Sequence, residues 1–266
     1  MPITKSKFSS LLFAAAFVSF ATTSCKKTDV AAPVEENSAA QIEELRQFII
    51  TTTGEDNVTY SASAKDFVIA NDANMSVADA KAYLAKSKSG QIEAGNASTE
   101  GIQHRRSYYA VAPTKAVAIK IYANSTVPAV WMAALDQAIA NWNASGSLLS
   151  ITRVSAPGTN VMNVTGINNG GTGVIATTYY PDYNSNVGKS CTINTYYNYL
   201  SAGQQIFAMT HELGHAFGFG HTNSTYGTLV PGSPNTDGNS IMNSVCLNWS
   251  AFTAYDLAAI RTVYPK

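Results

Sequence analysis

HELGHAFGFGH, residues 211–221, decides how this chain is read. His211 and His215 stand four apart, so on a helix they project from one face about one turn from each other, close enough to share an ion. Glu212 lies beside that stripe, where it can take a proton from water without joining the ligand set. Gly218 stands just past the helical turn, and glycine tolerates the positive φ that reverses a chain there. His221 then returns to the ion as third ligand. Three neutral imidazoles, with a fourth position left for water, are the ligand set of a catalytic zinc, with bonds of about 2.0–2.1 Å. Average residue usage makes these five residues at these offsets a roughly one in 10⁵ accident for such a chain. The window holds three of the four histidines. His104, the fourth, reads as an ordinary histidine, because metal sites need clustered ligands. A structural zinc would need a fourth protein ligand, usually cysteine, and only Cys191 or Cys246, if unpaired, could serve.

Outward from this window, Ser201 with Gln204 makes a capping box that starts the helix carrying the motif. Upstream, AVAIKIY (116–122) alternates as a strand. Thr126 and Pro128 then open a helix in which Val130, Ala134, Leu135, Ala138, Ile139 and Trp142 recur at helical spacing before Gly146. Strand-like runs follow at 148–154, 161–165, 174–179 and 191–197, broken by the NNGGTG turn. Downstream, Thr253 and Asp256 start a last helix with Leu257 and Ile260 on its apolar side. The fold class is α/β of the α+β kind. A twisted mixed sheet carries a backing helix and the zinc helix, with a small C-terminal part below.

The N-terminal part is built differently. Residues 1–106 hold 11 Lys or Arg and 12 Asp or Glu, against 6 and 5 in residues 107–266. The first 24 residues read as a signal peptide of lipoprotein type: Lys5 and Lys7, an apolar run Leu11–Ala21 too short to span a bilayer, then small residues before Cys25. Cys25 is the candidate lipidation site, although Thr22 stands where such signals usually carry leucine, which keeps plain secretion open. Either way the chain is exported, as a bacterial outer-membrane or cell-surface lipoprotein or as a secreted protein. Residues 25–40 read as a tether, and 41–106 as a propeptide or an accessory region with helices at 41–52 and 76–87 and a strand at 66–70. Arg105-Arg106 ends a loose stretch that would be accessible to cleavage. Residues 107–266 form the catalytic domain. With Cys25 lipidated, Cys191 and Cys246 remain as a candidate disulfide, or as two buried thiols. Net charge is zero, so no basic face calls for nucleic acid or an acidic membrane, and any membrane contact rests on the lipid at Cys25. The chain is read as a monomer.

The motif resembles that of the metzincins, HExxHxxGxxH followed by a methionine turn. His211, Glu212, His215, Gly218 and His221 fill the five positions, and Ser240-Ile241-Met242-Asn243 looks like the turn. Within metzincins, AIANWN (138–143), HELGHAFGFGHT (211–222), VPGSPNTDGNSIMN (230–243) and FTAYDLAAIRTVYP (252–265) resemble the bacterial peptidase M57 group. The resemblance implies a zincin fold and one catalytic Zn2+ on His211, His215 and His221. It also implies Met242 beneath the ion as structural support, alongside Gly218. The expected activity is endopeptidase cleavage of extracellular or periplasmic proteins and peptides, with Glu212 as general base. A non-catalytic surface lipoprotein that keeps the fold, or a zinc hydrolase acting on a non-peptide amide or ester, are the other readings. Some metzincins carry a tyrosine two residues after the turn methionine; here Ser244 stands there. An edge strand pairs with the substrate backbone in this fold family, and 174–178 is the candidate. Metzincin propeptides often block zinc with one side chain. Cys25 cannot do this, so a carboxylate is the alternative, and Asp72, just after FVIAN, is the position to test against the ordinary reading of a solvated loop aspartate.

Overall fold

The computed structural model describes residues 37–90, 105–106, 110–222, 228–230 and 237–266, and Asn37–Lys266 fold as one unit. The signal segment, Cys25, most of the tether and His104 lie outside the described residues. The last residues of the tether are already structured. Ser38 caps helix α1 (Ala39–Thr53) through a capping box with Gln41, and Gly54, at φ 80°, ends it in the left-handed region. An antiparallel ribbon follows, β1 (Val58–Ser61), β2 (Asp66–Ile69) and β3 (Ala73–Ser76), and then α2 (Val77–Lys88), capped by Ser76. Leu45, Ile49, Phe67, Ile69, Met75 and Tyr83 give this part its own core, into which Tyr180 from the later chain also packs.

The rest of the sheet comes from residues after 110. A helical turn α3 (Pro113–Ala116), started by the fixed φ of Pro113, takes the first residues expected to be strand, so β5 runs Ile119–Ala123. Helix α4 (Ala129–Asn143) follows Pro128 and buries Trp131, Leu135, Ile139 and Trp142. Then come β6 (Ile151–Val154), β7 (Val161–Ile167), β8 (Ala176–Tyr179) and β9 (Ser190–Asn194). The 148–150 stretch is a loop because Leu148 N donates to Tyr264 O rather than to a neighbouring strand. Residues 195–199 are a 3₁₀ turn, since Asn194 Oδ1 accepts from Tyr196 N and ends the ladder.

Sheet order is β1-β2-β3-β8-β9-β7-β5-β6. β6, β5, β7 and β9 are mutually parallel, β8 is antiparallel to β9, and β3 is parallel to β8. The mixed sheet expected from the sequence is present, but three of its eight strands come from the N-terminal part. Helix α5 (Ala202–Phe217) packs beside α4, where Trp142 Nε1 donates to Thr210 O at 2.9 Å and the Trp142 ring meets Phe217 edge-on at 4.9 Å. A second sheet pairs β4 (Arg105–Arg106) with β10 (Phe219–Gly220) and β11 (Thr228–Leu229), and α6 (Ala254–Val263) closes the chain. Among the described residues no helix is long and apolar enough to cross a membrane.

Candidate metal centre and active site

Helix α5 opens with the expected capping box, Ser201 with Gln204, and ends at Gly218, whose φ of 99° is open to glycine at little cost. That reversal lets β10 run back along the helix and delivers His221 to its face. Two rings are turned by backbone carbonyls: His211 Nδ1 lies 2.7 Å from Ile241 O, and His215 Nδ1 lies 2.9 Å from Phe219 O. With Nδ1 engaged, each ring turns Nε2 inward. His221 Nε2 and His211 Nε2 approach to 3.3 Å, and His215 Nε2 is buried without a hydrogen-bond partner. Burial holds His211 below the ordinary histidine range, toward the neutral form that ligates. Glu212 is buried next to the cluster and its Oε2 is also unpartnered. Burial is the main cause that pushes its carboxyl up to about 8, with the charge of Asp72 adding to it.

The aspartate is the fourth member of this cluster. Asp72 Oδ2 lies 2.9 Å from His221 Nε2 and 3.5 Å from His211 Nε2, and Oδ1 lies 3.7 Å from His215 Nε2. All four ligand atoms fall within 4.8 Å of one another. Four ligands at zinc's bond lengths in a tetrahedron stand about 3.4 Å apart, so this set fits zinc with little movement. The carboxylate is presented by the turn between β2 and β3, where Ala70 and Asn71 hold φ of 51° and 71°. A left-handed alanine is strained by about 1 kcal/mol or more, and such strain persists where surrounding structure imposes it. Here Thr178 N donates to Asp72 O at 2.7 Å and Tyr180 N to Asn74 O at 3.0 Å, clamping the segment to β8. Burial alone would raise the Asp72 carboxyl, but His215 and His221 hold it well below the usual carboxylate range.

The methionine turn lies where the motif places it, with Met242 buried under α5. A Cβ on Gly214 would come 2.3 Å from Met242 Sδ, so glycine is what lets the turn approach the helix. Sequence reasoning missed what anchors this turn. Asp256, buried at the start of α6, accepts from Ser240 Oγ at 2.7 Å, from Ile241 N at 3.2 Å and from Thr253 N at 2.9 Å. In the sequence alone it reads only as a capping residue. The same carboxylate fixes Ile241, whose carbonyl turns His211, and the signal was an acidic capping residue on a helix that follows the turn.

A cavity of about 430 Å³ opens beside His211 and Glu212, walled by Val174, Ile175, Phe207 and Cys246. Ser244 lines it in place of a tyrosine. The 174–178 edge is only partly as expected: its first residues face this cavity, while β3 already covers Thr178 and Tyr179. The expected disulfide is absent. Cys191 is sealed in the core on β9, whereas Cys246 sits past the methionine turn with Sγ 3.5 Å from Gln204 O, and both are free thiols. Burial raises both thiol pKa values, Cys246 to about 11. Nor is Arg105-Arg106 a loose stretch, because its backbone is the middle strand of the second sheet.

A family model described as dual-action HEIGH metallo-peptidase, Peptidase M57, matches residues 67–228. The chain belongs to this family. It is a zinc metallopeptidase, reading HELGH, with Leu213 where the family's name has isoleucine. The match begins within β2, so the model of the M57 family takes in Asp72 as well as the three histidines. Two solved structures are similar to this M57 peptidase. Myroilysin shares 18% identity at a TM-score of 0.40, covering 56% of this chain and 83% of that one. High choriolytic enzyme 1, a hatching enzyme zinc-protease from Oryzias latipes (Medaka fish), shares 15% at 0.40, covering 59% and 93%. No match is found among curated proteins.

Proposed function

We propose that this M57 peptidase is an exported endopeptidase made as a latent precursor, with the region from 41 to about 106 as its propeptide. The observation that carries this reading is the position of Asp72. Its carboxylate stands among the three ligand nitrogens, at the place where water would sit in an open catalytic site. The pairing of β3 with β8 supports it, because the strand edge beside the site is occupied by the chain's own segment over Thr178 and Tyr179.

Bound zinc would supply Lewis acidity toward the peptide carbonyl and toward water. The chain's residues do the rest. Once residues 37–90 move away, the freed N–H of Thr178 and of Tyr180 can pair with an extended peptide, as β-strand addition requires. The cavity beside His211 and Glu212 would take a substrate side chain against Val174, Ile175 and Phe207. Glu212, buried beside the ligand set, accepts the proton of the attacking water and passes it to the departing amine. The lipoprotein-type signal ending at Cys25 supports an outer-membrane or cell-surface location.

Casein digestion with products identified by mass spectrometry tests the reading, with small esters and non-peptide amides as controls. Internal peptide cleavage by the activated chain, abolished by a chelator and restored by zinc, is the expected result. Hydrolysis confined to the esters or amides would overturn it.

A further inference from the structure

Two of the three histidine rings are turned by backbone carbonyls of their own neighbourhood; the third is not. His221 Nδ1 lies 3.0 Å from Glu55 Oε1, a carboxylate from the N-terminal part of the chain. Glu55 is only 9% exposed, and among the described residues its Oε1 takes no directed hydrogen bond, which leaves the His221 ring at 3.0 Å as its charged neighbour. The placement is built. Gly54 in the left-handed region reverses the chain at the end of α1, and Glu55 N donates to Thr53 Oγ1 at 3.3 Å, which in turn donates to Ile49 O at 2.8 Å. Ile49 is fully buried in the N-terminal core. His221 thus stands between two carboxylates of residues 37–90, Asp72 at Nε2 and Glu55 at Nδ1.

We infer that Glu55 is a positioning residue of the metal centre, holding His221 with Nδ1 protonated and Nε2 turned to the ion. Residues 37–90 therefore strengthen metal binding through two separate groups as well as closing the site. Carboxylates in this outer role fix ring orientation and tautomer, and their loss typically weakens metal binding 10–100-fold. The precursor would hold zinc more tightly than the catalytic part could without it, so zinc is loaded before the N-terminal part leaves. The inference rests on the zinc-peptidase reading above.

The test uses the full chain and zinc alone, with affinity read by competition against a chromophoric chelator. Glu55→Ala should bind zinc about 10–100-fold more weakly, while circular dichroism in chelator shows it still folded. Glu55→Gln, whose amide oxygen still accepts from the ring, should stay within about threefold. Nitrogen-15 NMR, simplified by only four histidines, should show His221 of the zinc-loaded chain with its proton on Nδ1. Unchanged affinity in Glu55→Ala, equal loss in both variants, or a proton on Nε2 would overturn the assignment; should Glu55→Ala not fold, the glutamine variant and the spectrum decide. A full chain that takes up no zinc overturns the zinc reading itself. Normal zinc uptake with no effect at Glu55 overturns this inference alone.

Discussion

Asp256→Ala should damage a metal site that the residue never touches. The carboxylate holds Ser240 Oγ, Ile241 N and Thr253 N. Thr253 is part-exposed at a helix start and can turn to water once the carboxylate is gone. Ser240 and Ile241 are 0% and 2% exposed and cannot. Two buried donors losing a charged acceptor at about 1–3 kcal/mol each, with half a capping box lost, sum to about 4 kcal/mol. For a chain of this size that is a fall in melting temperature of about 10 °C. Stability is one readout, measured by circular dichroism with a chelator present so that metal does not contribute. Zinc affinity is the other, because the freed Ile241 carbonyl no longer turns His211. Asp256→Asn keeps one acceptor oxygen and should fall between. A melting temperature within about 3 °C of the unchanged chain, with zinc affinity intact, would refute the chain of contacts from α6 to His211.

Glu212→Ala should keep one zinc per chain by elemental analysis while proteolysis by the activated form drops at least about 10²–10⁴-fold; near-normal turnover would remove Glu212 from the chemistry. Gly214→Ala gains about 1 kcal/mol of helix propensity but forces a Cβ to 2.3 Å from Met242 Sδ. Overpacking of about 1–3 kcal/mol should outweigh that gain, and a stabilised variant in thermal unfolding would show that the turn yields freely. In the metal-free chain burial opposes charge on His221, yet Asp72 and Glu55 outweigh it and lift its pKa to about 10. The sign follows: a raised pKa stabilises the fold fully below about 6.5, and that contribution is lost as pH rises through about 10. Zinc takes the unprotonated ring, so binding near neutral pH should release at least about one proton per ion, read by calorimetry in buffers of different ionisation enthalpy. No release would contradict the ion-paired histidine.

The ligand triad, the reversal at Gly218, the capping boxes at Ser201 and Thr253 and the backing helix were legible because each depends on residues a few positions apart. Asp72 was legible only by elimination: with no free cysteine upstream, a carboxylate near a strand end was the remaining blocking group. Its contacts to the histidines span about 140 or more positions, a separation that no local pattern records. Glu55 and Asp256 were missed for the same reason, each looking like an ordinary acidic residue beside a helix end. The Cys191 and Cys246 pairing failed because parity argues only that a bridge could form, while the sheet seals one thiol in the core and leaves the other at the cleft wall. Arg105-Arg106 read as loose on its flanks, whereas strand pairing with 219–220 and 228–229 is set by backbone partners far along the chain.

The central claim is that one chain carries both a zinc peptidase and the carboxylate that shuts it. A recognition site for a specific protease, placed within residues 91–104 of the zinc-loaded full chain, allows the same preparation to be assayed before and after a single cut. Turnover of one quenched fluorogenic peptide should be near background in the intact chain and rise sharply once the cut lets residues 37–90 leave. Equal turnover before and after the cut, with the released segment verified by mass spectrometry, would contradict it.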